Sequence, residues 1–161
     1  MNAIDLLESQ HREVEELFEK VESTEGAAEK RRLFVELADS LAAHATIEEK
    51  IFYPEVLAEE TEEVLHEAVE EHLSIKRVLA DLLKTQLSDD RFDAAIKVLK
   101  EQVEHHVEEE EEEMLPKVKK TISSEKLDEL GAQMEAMFAE LLTGEPRLEV
   151  PSETAEPAPL E

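Results

Sequence analysis

Apolar residues recur at alternating steps of three and four along almost the whole chain, and strand-like alternation is nearly absent. That period commits the chain to amphipathic helices, which must bury their stripes against one another. One stripe runs Ile4, Leu7, His11, Val14, Phe18 and Val21, and ends at Ser23-Thr24-Glu25-Gly26. A second runs Leu33, Leu37, Leu41, His44, Glu48 and Ile51, and is disturbed or ended near Pro54. A third, Leu65, Ala68, His72, Ile75, Leu79 and Leu82, is expected to stop near Ser88-Asp89-Asp90. The fourth, Phe92, Ile96, Leu99, Val103, His106 and Glu110, precedes Pro116. A shorter fifth carries Leu127, Leu130, Met134, Met137 and Leu141.

Four long helices with short connections predict an all-α, up-down-up-down four-helix bundle over residues 1–122, with an additional helix over 123–143. From Thr143 the pattern fails. The last stretch has four prolines and few large apolar residues, so 144–161 is expected to be a disordered acidic tail.

Within these stripes the chain repeats itself. His11 precedes His72 by 61 residues, whereas His44 precedes His106, Glu48 precedes Glu110, and Pro54 precedes Pro116 by 62. Each half has a lone histidine on one helix, then His-x-x-x-Glu on the next, with proline ten residues after that histidine. Two helical hairpins related by an approximate twofold axis follow from this. Residues i and i+4 share a helix face, so each His-Glu pair can approach one point. All six polar residues occupy positions that apolar side chains fill elsewhere on the same helices. Burying two carboxylates and four imidazoles without partners would cost several kcal/mol each. A cation between the helices removes that cost.

Four imidazoles and two carboxylates suit a redox-active first-row metal better than calcium or magnesium. A closed zinc site needs only four ligands, commonly with cysteine. Six ligands in a twofold arrangement predict two metals, each with two histidines, bridged by Glu48 and Glu110. Positions remain for an oxo or hydroxo bridge and a small exogenous molecule. Glu49 and Glu111 lie beside the stripe, as alternative ligands or supporting groups. His66 and His105 fall off it and are expected at the surface, and Met134 and Met137 are expected in the core. Tyr53 has two readings. Nine regular helical steps from His44 turn it away from the site, toward the surface, while the turn distorted by Pro54 could bring it in as a phenolate ligand.

The motifs HATIEEKIFYP (44–54) and HHVEEEEEEMLP (105–116), led by His11 and His72, resemble the hemerythrin HHE cation-binding family over about residues 1–120. The resemblance implies a non-haem diiron centre held by His11, His44, Glu48, His72, His106 and Glu110, with no catalytic group separate from it. Oxygen-carrying hemerythrins have a fifth histidine, four residues from the lone one on the third helix. Here those positions are Ala68 and Lys76, which implies an open coordination position. That points away from reversible oxygen carriage and toward peroxide or nitric oxide chemistry. The competing readings are an oxygen-binding protein, and a non-catalytic oxygen or iron sensor or iron-binding module.

The formal net charge of −26 excludes easy association with nucleic acid or an anionic membrane. There are no cysteines, so neither disulfides nor thiolate ligands are available. The opening MNAIDLLESQHREVEE lacks a basic stretch followed by an apolar run, and no segment approaches ~18 consecutive apolar residues. A soluble cytoplasmic protein whose partners are small molecules (O2, H2O2 or NO) is expected.

Overall fold

The computed structural model describes residues 1–85 and 90–160. Helices α1 (Ala3–Ser23) and α2 (Ala27–Ile47) form the first hairpin. After a π-helical turn (Glu48–Phe52), the second helix finishes as the short α3 (Tyr53–Val56). The second hairpin pairs α4 (Glu62–Lys84) with α5 (Asp90–Glu109), which passes through another π turn (Glu110–Met114) into α6 (Leu115–Thr121). Helix α7 (Ser124–Leu142) lies against α1, α2 and the first π turn. Of the stop expected near Ser88-Asp89-Asp90, Ser88 and Asp89 lie outside the described residues.

Capping starts two of these helices. The Asn2 side chain accepts from the Asp5 N–H at 2.9 Å, and Ser123 Oγ accepts from the Lys126 N–H at 3.1 Å, so each satisfies a donor that the helix cannot. Before α4, the buried Thr61 hydroxyl donates to the Val56 carbonyl at 2.7 Å and closes the corner.

Two apolar clusters fill the bundle. One includes Phe18, Leu37, Leu79, Phe92 and Leu99, and the other Leu7, Ile47, Phe52, Leu65 and Leu130. On α1, α2 and α4 the change from one cluster to the other falls at His11, His44 and His72. On the α5 line it falls between Val107 and Met114, around Glu110. A polar layer therefore crosses the bundle between two hydrocarbon layers.

The two π turns stand immediately before the repeated prolines. Pro54 has no N–H for the Lys50 carbonyl, and its ring would crowd that carbonyl in a regular α-helix. The turn widens instead, and the Tyr53 N–H bonds back to the Glu48 carbonyl, five residues away. Leu115 bonds to Glu110 in the same way before Pro116. The helix continues past each proline rather than ending. One residue is absorbed by each wide turn, so the buried face shifts: Phe52 and Tyr53 are fully buried, while Ile51 is only half-buried.

The disordered tail expected over 144–161 is corrected by the structure. Pro146–Glu153 form a 3-10 helix that packs across α2 and α4. Val150 (2% exposed) joins one apolar cluster and Leu160 the other. Composition misled here because two well-placed apolar anchors suffice when prolines already restrict the unfolded chain.

Helix α7 approaches the start of α1 closely. A Cβ on Gly131 would lie 2.3 Å from the Met1 carbonyl oxygen and 2.7 Å from the Asn2 carbonyl carbon. Gly131→Ala should therefore lower stability by roughly 1–3 kcal/mol, the usual cost of overpacking. Thermal unfolding tests this against Gly26→Ala, which meets nothing within 4 Å and should be nearly neutral.

Candidate metal centre

Each helix line contributes its polar residues to one point in the middle layer. His11 comes from α1, His44 from α2 and Glu48 from the π turn after it. The second half supplies His72 from α4, His106 from α5 and Glu110 from the second π turn. Both glutamates are 0% exposed, and all four histidines are buried. Glu48 Oε1 lies 3.2 Å from His44 Nε2 and 3.1 Å from His72 Nε2. Glu110 sends Oε1 to 3.2 Å from His11 Nε2 and Oε2 to 3.3 Å from His106 Nε2. Each carboxylate thus spans the two halves. The imidazoles pair as His11 with His44 (centroids 5.0 Å apart) and His72 with His106 (4.7 Å).

Five buried atoms of this set have no hydrogen-bond partner: His11 Nε2, His44 Nε2, both Glu48 carboxylate oxygens and Glu110 Oε1. Buried polar atoms are ordinarily satisfied, because leaving one bare costs roughly 1–3 kcal/mol or more. Here they are lone-pair donors pointing at one another. His11, His44, Glu48 and Glu110 bring ligand atoms within 4.8 Å of each other, as do Glu48, His72 and His106. Glu48 belongs to both groups. The residues present fit two adjacent cations sharing a carboxylate.

An outer set of side chains orients the imidazoles. His11 Nδ1 donates to Glu111 Oε2 at 2.6 Å, and its counterpart His72 Nδ1 donates to Glu49 Oε2 at 2.7 Å. His44 Nδ1 donates to Gln10 Oε1 and His106 Nδ1 to Glu71 Oε1, both at 2.7 Å. With Nδ1 committed outward, every Nε2 faces the centre. Glu49 and Glu111 are thereby supporting groups rather than ligands in this arrangement. Gln10 and Glu71 escaped the sequence reading. Their signal was present: each immediately precedes the lone histidine of its half, at the same separation of 61.

Tyr53 belongs to the interior, and its surface reading is excluded. Its hydroxyl donates to Glu110 Oε2 at 2.8 Å and lies 3.3 Å from His72 Nε2. The wide turn is the cause. Tyr53 follows Glu48 by five residues, the span of one π turn, so it stacks on the glutamate's face. The twofold relation breaks here, because the counterpart of Tyr53 is Leu115. Ala68 sits in the apolar cluster, while Lys76 Nζ turns to Glu49 Oε1 at 2.8 Å. His66 and His105 are solvent-exposed, and Met134 packs in the core.

Burial opposes charge on His11, His72 and His106, yet the facing carboxylates outweigh it. Glu110, Glu48 and Glu111 hold His11 above the ordinary 6.5. Glu48 and Glu49 raise His72, against the neighbouring His106. Glu110, Glu48 and Glu71 hold His106 well above. Burial likewise opposes ionisation of Glu48, but His44 and His106 keep its carboxyl well below the ordinary 4.5. Burial and then the charges on Glu110 and Glu48 push the Tyr53 phenol well above 10.

A four-helix bundle whose middle layer gathers four inward imidazoles and two shared carboxylates is a cation-binding bundle. The chain belongs to the hemerythrin HHE cation-binding domain family, whose model matches residues 2–118. It is 31% identical over 143 residues to an uncharacterized protein of Mycobacterium tuberculosis, 88% of each chain being covered. The crystal structure of a hemerythrin HHE cation binding domain-containing protein from Mycobacterium kansasii superposes with a TM-score of 0.78 at 26% identity, covering 96% of this chain and 94% of that one. A DNA nickase of Nostoc sp. is 26% identical over 136 residues, and this chain spans 39% of that protein's length. Among the described residues, no helix is long and apolar enough to cross a membrane.

The raised histidines set a sign for pH. In the metal-free protein, each stabilises the fold fully below 6.5 and loses that contribution as pH rises through its higher folded value. Glu48 contributes above 4.5 and loses it as pH falls through its depressed value. Thermal melts of chelator-treated protein should therefore show stability falling as pH rises above 6.5. Cation affinity should run the other way, because protons compete for the same nitrogens. Titration of metal at pH 6 and pH 8 checks the opposite slope.

Proposed function

We propose that this chain is a diiron protein that reacts with hydrogen peroxide, nitric oxide or oxygen. The observation that carries the reading is the convergence of five unpartnered buried donor atoms from two repeated halves. Four nitrogens with two carboxylates favour a redox-active first-row metal. The family membership favours a cation at this place. His11 and His44 would hold one iron, His72 and His106 the other, with Glu48 and Glu110 shared. Tyr53 is the additional candidate ligand, on the side of His72. Iron supplies reversible one-electron exchange and positions for a small exogenous molecule.

The chain's own residues supply the rest. Gln10, Glu49, Glu71 and Glu111 hold the imidazole planes, so the donor atoms are positioned before a metal arrives. Hydrocarbon layers on both sides keep bulk water away and strengthen every charge interaction inside. Tyr53 Oη holds a proton 2.8 Å from Glu110 Oε2 and 3.3 Å from His72 Nε2, at the edge of the candidate ligand set. No fifth imidazole is available, since Ala68 is apolar and Lys76 is committed to Glu49. Stable oxygen carriage requires the bound molecule to leave unreacted, and an exchangeable position beside a proton source works against that. The acidic surface disfavours nucleic acid as a partner. The absence of cysteine suits a reducing compartment such as the cytoplasm.

Metal analysis after growth in iron-replete medium should give about two irons per chain, as expected of a bundle-core site. One tightly bound zinc, or none, sinks the proposal. Glu48→Ala and Glu110→Ala should each lose iron, whereas His66→Ala and His105→Ala should keep both.

Tyr53→Phe removes one oxygen and little volume. Loss of a visible charge-transfer band in the ferric mutant identifies the phenol as a ligand, while an unchanged spectrum leaves it a proton holder. The iron-loaded protein should consume added peroxide or nitric oxide, followed amperometrically. An oxygen complex that forms and releases over many cycles would contradict this.

A further inference from the structure

An apolar cavity of about 40 Å³ reaches the histidine cluster from the side, between the helices. Val14, Leu41, Ile75, Leu79, Val103 and Val107 line it, and all four histidines open onto it. The C-terminal segment closes part of it through Val150 and Glu153, beside Lys76. Val150 is 2% exposed and Pro146 is buried as well, although Leu148 and Glu149 between them face solvent. Of the two buried side chains, Val150 is the one that lines the cavity.

Three tethers hold the segment. Arg147 Nη1 donates to Asp39 Oδ1 at 3.2 Å and Oδ2 at 3.1 Å, and its backbone N–H donates to Oδ1 at 3.1 Å. Arg77 Nε donates to the Thr154 carbonyl at 3.0 Å. Lys76 Nζ lies between Glu153 Oε1 (3.3 Å) and Glu49 Oε1 (2.8 Å), so the segment is tied to the carboxylate that orients His72. All three are polar contacts; Lys76 is buried and the Arg147–Asp39 pair is half-buried. Their release would leave the packing of the long helices in place.

We propose that residues 146–154 are a latch over this cavity, with Val150 as its plug and Arg147–Asp39 as its catch. The cavity takes small uncharged molecules of two to four atoms. Its size and hydrocarbon lining exclude larger and charged solutes, which reach the centre only when the latch opens. The inference deepens the reading of the centre as one that meets small oxidants, but its cavity part stands without any metal.

Two measurements on the full chain test it. In metal-free protein, xenon should shift the methyl resonances of Val14, Leu79 and Val103. Val150→Ala should strengthen xenon binding severalfold, and Val150→Leu should weaken it. Identical xenon binding in all three proteins overturns the plug. In iron-loaded protein, the rate of iron removal by a sulfonated, anionic chelator reads latch opening. Arg147→Ala and Asp39→Asn should each speed removal about tenfold, equivalent to ~1.4 kcal/mol shifted toward the open segment. The exposed His66→Ala, outside the latch, should leave the rate unchanged. Unchanged rates in both catch variants overturn the latch. A chain that takes up no iron refutes the metal reading, and the xenon series still decides whether Val150 seals a cavity.

Discussion

Two carboxylates with no solvent exposure sit in the middle of a helical bundle, and the architecture depends on how their charge is met. Uncompensated burial of one such charge costs several kcal/mol, comparable with the net stability of a whole domain. The chain answers with four imidazoles, one each from α1, α2, α4 and α5, aimed by an outer set of polar side chains. Protons on those imidazoles provide partial compensation in the metal-free state. A cation provides more, because one ion meets several converging nitrogen and oxygen atoms at once, whereas a proton bridges only one pair. Folding and cation binding therefore draw on the same interactions.

The apolar clusters on either side give that layer its properties. They support the bundle by ordinary hydrocarbon burial and also lower the dielectric around the centre. The repeated prolines act on the same place through the backbone. By widening one turn in each half, they start Glu48 and Glu110 on π turns and rotate the following residues inward. π turns of this kind often accompany functional sites, and the reason is visible here. An extra residue in the turn brings Tyr53 to a carboxylate that it could not reach from a regular helix. In the other half the same rotation presents Leu115, so the symmetric frame holds an asymmetric centre.

The C-terminal segment shows how sparse an ordering signal can be. Val150, Leu160 and the Arg147–Asp39 contact are enough to dock a stretch whose composition reads as unstructured. Its position across α2 and α4 brings it to the flank of the histidine layer, so its order bears on access to the centre and not only on stability.

The sequence by itself determined the helices, their pairing into two hairpins and the six inward polar residues. All of these follow from periodicity and from a repeat of 61 and 62 residues, which depend on local geometry alone. The outward-facing status of His66 and His105 was readable for the same reason. Tertiary structure alone decided which groups orient the imidazoles, because Gln10 reaches His44 and Glu71 reaches His106 from different helices. It also decided the fate of Tyr53, since a regular helical count is wrong by one residue once a turn has widened. The docking of Val150 was likewise beyond the sequence. A single apolar side chain in a polar, proline-rich stretch has no period, and only the groove that receives it gives it meaning.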